Sequence, residues 1–149
     1  MIAIGSDHAG FELKEEIKKY LDEQGLAYTD FGTYDTGSCD YPVYGEKVAR
    51  AVASGEAERG IVVCGTGLGI SITANKVKGI RCALCGDSFS AEMSRLHNDA
   101  NVLALGARVT GSGLAKKIVE VFLNTGFAGA QHTHRLELIE ALERRERNG

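Results

Sequence analysis

Cys64 ends the β-branched stretch Ile61-Val62-Val63 and opens the alternating glycines of Gly65-Thr66-Gly67-Leu68-Gly69. A thiol at the end of a strand and the start of a helix meets backbone amides and the partial positive charge of a helix N-terminus, both of which favour a thiolate. From an ordinary pKa of about 8.5, the sulfur could then work as a base or nucleophile near neutral pH. Glycines at such a turn let amides approach an anionic oxygen with no Cβ in the way. The same residues also read as a small buried hydrophobe before a tight turn. The choice between the two rests on what stands nearby.

Other reactive residue types fall at comparable places. Asp7 and His8 follow the apolar stretch Ile2 to Gly5, and Arg108 follows Ala100 to Leu105 after Gly106 and Ala107. If those stretches are strands, these residues share one rim with Cys64 and Thr66. His97-Asn98-Asp99 precedes Ala100 instead. It is therefore expected at the opposite rim of its own chain, or in a site that an adjacent loop or a second chain completes. Each residue has a structural alternative. An Asp-His pair after a strand commonly caps a helix, His97 can simply end one, and Arg135 with Arg144, Arg145 and Arg147 reads as solvated helix surface.

Alternating periodicities supply the elements that would position these groups. Strands are expected at Ile2 to Gly5, Ala27 to Phe31, Ile61 to Val63, Gly79 to Cys85 and Ala100 to Leu105. Apolar residues at helical spacing predict helices over Phe11 to Gln24, Pro42 through Ala53, Ile70 to Lys76, Ser88 to His97, Gly111 to Leu123 and His134 to Arg147. The charged end, Glu143 to Gly149, is expected to fray. Strands separated by such helices imply right-handed crossovers and a parallel sheet covered on both faces. The expected fold is α/β: a Rossmann-like three-layer αβα sandwich with a five-stranded parallel sheet, in one domain over residues 1–149. Ligands of such sheets bind beyond the carboxyl ends of the strands.

Composition narrows the function classes. A chain of 149 residues with 44% hydrophobic and 25% charged content reads as a soluble globular protein. Its 17 Lys+Arg against 20 Asp+Glu give a net charge of −3, which recommends neither nucleic acid nor an anionic membrane as partner. The N-terminus runs straight into a strand pattern, with no basic leader and no apolar span, so a cytoplasmic location is expected. The four cysteines are then expected to be reduced thiols. Cys82 and Cys85 form a C-x-x-C. Residues three apart on a strand face opposite ways, so burial is the expected role rather than a shared metal.

Several motifs together carry a family resemblance. They are Ser6-Asp7-His8-Ala9-Gly10, the Cys64 to Gly69 turn, Ala74-Asn75-Lys76, Gly79-Ile80-Arg81, Leu96 to Leu103 and Gly106-Ala107-Arg108-Val109. In unbroken order over nearly the whole chain, they resemble type B ribose-5-phosphate isomerase. Related isomerases of allose 6-phosphate and galactose 6-phosphate share parts of the pattern. The resemblance implies aldose–ketose isomerisation through a cis-enediolate with no metal or organic cofactor. It makes Cys64 the base that moves a proton between C2 and C1, and Thr66 with the amides of Gly65, Gly67, Leu68 and Gly69 the holders of the enediolate oxygen. His97 matches the ring-opening acid, with Asp7 nearby and Asn98 on the sugar hydroxyls, while His8, Arg108 and Arg135 match residues that grip phosphate. It also implies a homodimer that shares its sites, with the C-terminal helix reaching toward the partner. Whether dimers pair into tetramers stays open.

One position departs from the family's pattern. Where many members have Gly-Gly-Arg-His, this chain has Gly129-Ala130-Gln131-His132. An amide in place of a cation gives a weaker bond to phosphate, so weaker dependence on the phosphate and broader tolerance of free aldoses are expected. The competing class is a non-catalytic module that binds a nucleotide or phosphosugar. Asp87, after the fourth strand, is spaced like a ribose-binding acid, but the glycines lack G-x-G-x-x-G spacing and no Gly-Lys-Ser/Thr follows.

Overall fold

In a computed structural model, which describes residues 1–148, five parallel strands alternate with six helices. In chain order they are β1 (Ile2–Ser6), α1 (Phe11–Glu23), β2 (Tyr28–Asp30), α2 (Tyr41–Ala53), β3 (Arg59–Cys64), α3 (Leu68–Asn75), β4 (Cys82–Leu84), α4 (Ser88–Leu96), β5 (Val102–Gly106), α5 (Ser112–Asn124) and α6 (Gln131–Asn148). The sheet order is β2-β1-β3-β5-β4, with every pair parallel. This is the Rossmann-like sandwich expected from the strand and helix periodicities.

The period of two along each central strand sorts side chains by size as well as by face. Ile2, Ile4, Ile61, Val63, Leu103 and Leu105 pack against α1, α4 and α5 through Leu13, Ile17, Ala91, Ile118 and Phe122. Ala3, Val62, Cys64, Val102 and Ala104 face α2 and α3 through Val48, Val52, Ile70 and Ala74. The second face is the small one, so α2 and α3 lie close to the sheet. Cys64 stands at its end, next to where α3 begins.

The connection after β1 runs through α1 to β2 on one side of the sheet order, and the connection after β3 runs through α3 toward β4 on the other. Their loops diverge over the gap between β1 and β3, the switch point where sheets of this kind bind ligands.

Several boundaries differ from the periodicity. β4 spans only Cys82–Leu84: before it, the Asn101 side chain bonds the Gly79 carbonyl and the Arg81 amide, the Ile80 amide turns back to Val77, and only the Arg81 carbonyl meets backbone amides, those of Asn101 and Val102. α6 starts at Gln131, three residues early, on a turn made by Gly129 and Ala130, both with positive φ. The charged end does not fray. Helix continues to Asn148, with Glu143 accepting from the Gly79 amide and Arg147 donating to the Lys76 carbonyl, so Arg147 is not merely solvated surface; Gly149 lies outside the described residues. Among the described residues no helix is long and apolar enough to cross a membrane.

Candidate active site

Three strand ends meet at the switch point. Asp7 follows β1 and its amide donates to the Val63 carbonyl, which puts it beside Cys64. Cys64 is paired in register with Gly106, and beyond it the amides of Ala107 and Arg108 donate to the carbonyls of Cys64 and Gly65, both at 2.9 Å. Asp7, His8, Cys64 to Gly69 and Arg108 therefore share one rim, as their positions after strands suggested.

Within that rim the sulfur is held by the turn that follows it. The Gly67 amide donates to Cys64 Sγ at 3.2 Å. Gly67 caps α3 with φ +81°, a left-handed conformation that a side chain rarely adopts, and a Cβ there would meet the Leu84 side chain and the Leu105 carbonyl carbon. Cys64 is only 4% exposed, and the exposed residues around it are Thr66 and Leu68 of the turn and Arg108 after β5.

Not every amide of the turn points outward. Gly67 is committed to the sulfur, and the Leu68 amide donates to Thr66 Oγ1 at 3.3 Å. That leaves the Thr66 hydroxyl proton as a donor to a ligand. The Arg108 side chain lies against Gly65, its Nη1 3.2 Å from where a Cβ would stand. The Tyr41 ring stands against Gly69 in the same way. Tyr41 was not singled out by sequence reasoning; its place next to Pro42 in the first turn of α2 was the available signal.

Asp7 and His8 are fixed by different means. Asp7 Oδ1 accepts from the Gly10 amide at 3.0 Å, which closes the turn leading into α1 and occupies one carboxylate oxygen only; Gly10, not Asp7, is the N-cap of the helix. His8 Nδ1 accepts from the Cys39 amide at 3.2 Å. A ring nitrogen that accepts carries no proton, so neutral His8 has its N–H at Nε2, ready to donate. The loop that delivers Cys39 is anchored at its root by Lys14, which is fully buried and bonds the Asp30 carboxylate and the Thr33 carbonyl.

His97, Asn98, Gln131 and Arg135 form a second cluster elsewhere. His97 caps the C-terminus of α4, at the amino end of β5. The length of β5, on the order of 13 Å at about 3.3 Å per residue, separates it from the Cys64 rim. α6 comes to this second rim. The His132 ring stacks on His97 with centroids 4.1 Å apart, and Gln131 and Arg135 flank His132 on the first turn of the helix. Burial, and then the charges of His97 and Arg135, lower the His132 pKa from its usual value. His132 is a second residue that sequence reasoning passed over, having noted only the replaced arginine beside it.

The remaining cysteines and Asp87 take structural roles. Cys82 packs toward α2 and α3, and Cys85 toward α1, α4 and α5, on opposite sides of the sheet. Burial pushes the Cys82 thiol up to about 12, with a contribution from Cys85, and the Cys85 thiol up to about 11, with a contribution from Asp87. Both carboxylate oxygens of Asp87 bond Ser90, so it caps α4. Among the described residues no cluster of three or more His, Cys, Asp or Glu could hold a metal ion.

Two cavities open beside the first rim. One of about 640 Å³ is lined by Ala9, Phe11, Leu13, Arg108 and Ser112, and one of about 230 Å³ by Thr66, Leu84, Gly106, Val109 and Thr110. Both flank the Cys64 turn without being lined by Cys64 itself.

A family model described as Ribose/Galactose Isomerase matches residues 2–139. The chain belongs to this family. Ribose-5-phosphate isomerase B of Escherichia coli is 51% identical over 144 residues, 97% of each chain. The structure of ribose-5-phosphate isomerase B from Clostridium thermocellum superimposes with a TM-score of 0.96 at 55% identity, covering 97% of this chain and 98% of that one. D-erythrulose-4-phosphate isomerase of Pectobacterium atrosepticum is 44% identical over 148 residues, covering 99% of this chain and 97% of its own. The isomerase is thus of the aldose–ketose type, which sets aside the non-catalytic binding module.

Proposed function

We propose that this isomerase interconverts D-ribose 5-phosphate and D-ribulose 5-phosphate through a cis-enediolate, with Cys64 as the base. The observation that carries the reading is the Gly67 amide on Cys64 Sγ at the switch point, flanked by Asp7 and Arg108. The thiolate takes the proton from C2 of the open-chain aldose. Electrons move to make a C1–C2 double bond and put the negative charge on O1, which the Thr66 hydroxyl steadies. Return of the proton to C1, with the O2 proton passing to O1, yields the ketose and restores the thiolate. His8, through Nε2–H, and Arg108 hold the phosphate on this rim.

Ring opening and the other phosphate contacts belong to the second cluster, so two copies complete each site. A two-fold arrangement sets the His97 rim of one protomer over the Cys64 rim of its partner, and symmetry builds the site twice. His97 then acts as the ring-opening acid, Asn98 binds sugar hydroxyls, and Gln131 and Arg135 reach the phosphate from α6. Cytoplasmic residence is part of the proposal; the unpaired state of Cys39, Cys64, Cys82 and Cys85 supports it.

A second substrate is favoured by one comparison, the relative named for D-erythrulose 4-phosphate. Initial rates with ribose 5-phosphate, allose 6-phosphate, galactose 6-phosphate and erythrulose 4-phosphate decide the matter. The highest kcat/KM is expected for ribose 5-phosphate; a higher value for any of the others overturns the assignment.

A further inference from the structure

The turn His97-Asn98-Asp99 is held from both sides by arginines. Arg81 Nε donates to the Asn98 carbonyl at 2.9 Å, and its Nη2 donates to the Asp99 carbonyl at 3.0 Å and lies 3.5 Å from Asp99 Oδ2. From the other side the buried Arg95 donates through Nη1 to Asp99 Oδ1 at 2.8 Å and to the Ala100 carbonyl at 2.7 Å. Asp99 itself has φ +45°, a conformation that side chains other than glycine rarely adopt and that surrounding contacts must enforce.

Arg81 is in turn fixed at its own backbone. Its amide donates to Asn101 Oδ1 at 2.8 Å, and Asn101 Nδ2 donates to the Gly79 carbonyl at 2.9 Å. The Gly79 amide donates to Glu143 of α6, and Arg81 Nη1 lies 4.0 Å from Glu140 of the same helix. Arg81 thus joins the turn that carries His97 and Asn98 to the helix whose first turn carries His132, on which His97 stacks.

We propose that Arg81 is a positioning residue for His97 and Asn98, its planar fork turning the Asn98 and Asp99 carbonyls inward and so fixing both side chains on the rim. Arg81 acts through these two residues. The inference rests on the isomerase reading of His97 and Asn98 and adds to it a reason for the arginine of Gly79-Ile80-Arg81. Lysine is not an equivalent, since a single ammonium lacks the rigid fork that meets two carbonyls and a carboxylate at once.

The test is Arg81→Lys, which keeps charge and stem, beside Arg81→Gln, with kcat on ribose 5-phosphate and the histidine ring resonances recorded for each. Misplacement of a group that acts on substrate is expected to lower kcat about 10- to 100-fold in both variants. The His97 ring resonances are expected to shift while those of His8, on the other rim, stay in place. The proposal is overturned by an unchanged kcat, by unshifted His97 resonances, or by His8 moving as much as His97, which would mark a general loosening. Should the wild-type protein fail to isomerise ribose 5-phosphate, the substrate assignment falls, and the resonances of Arg81→Lys alone then decide for or against the positioning role.

Discussion

The Gly67 amide donates to Cys64 Sγ at 3.2 Å, tying the sulfur to the residue that caps α3. Substitution of Cys64 tests the proposed base. Cys64→Ala is expected to lower kcat by about 10³-fold, within the range for loss of a general base, and binding of a substrate analogue is expected to change little. Steady-state kinetics and calorimetric titration check the two parts. Retention of a tenth or more of wild-type kcat would remove Cys64 from the chemistry.

Lys14 and Asp30 anchor the loop that bonds His8, and they do so with a buried charge. Burial raises the Asp30 pKa, but hydrogen bonds from Lys14, Lys18 and the Gly32 amide outweigh it and hold the carboxyl below its usual 3.8. A folded-state pKa below the unfolded value contributes stability that is complete above the unfolded value and lost as pH falls through the folded one. Asp30→Asn leaves Lys14 buried without its carboxylate, at a cost of about 3 to 5 kcal/mol near neutral pH. It is also expected to flatten the acid limb of the stability curve below about pH 4. Urea unfolding across the acid range measures both effects, and an acid limb as steep as the wild type's would contradict the linkage.

Gln131 stands at the start of α6, at the position for which the resemblance implies a phosphate-binding arginine. A charge-assisted bond exceeds a neutral one by about 1 kcal/mol, which corresponds to about fivefold in binding. Gln131→Arg is therefore expected to lower KM for ribose 5-phosphate about fivefold and to leave kinetics on free ribose unchanged. Parallel assays on the two sugars test this. An equal effect on both would place Gln131 away from the phosphate.

Much of the fold was legible because each central strand buries both faces, so Ile2 to Gly5, Ile61 to Val63 and Ala100 to Leu105 read as apolar runs between helical periods. β4 was overextended because Gly79-Ile80-Arg81 reads as a continuation of the strand, whereas the Asn101 side chain takes the Gly79 carbonyl and the Arg81 amide and the Ile80 amide turns back to Val77. The start of α6 was missed because the left-handed Ala130 that turns the chain into it has no sequence signature. At the candidate site, the position of each group after or before a strand separated the Cys64 rim from the His97 rim. The Cys39 amide on His8, the stack of His97 on His132 and the Arg81 fork depend on contacts between distant segments. No local pattern encodes those.

The reaction in deuterated water tests the central claim most directly. With ribose 5-phosphate as substrate, a base that holds the C2 proton and returns it to C1 exchanges part of it with solvent. The expected result is ribulose 5-phosphate carrying deuterium at C1, formed by the wild-type protein and not by Cys64→Ala. Ketose free of deuterium, or labelled ketose formed equally fast by Cys64→Ala, would contradict it.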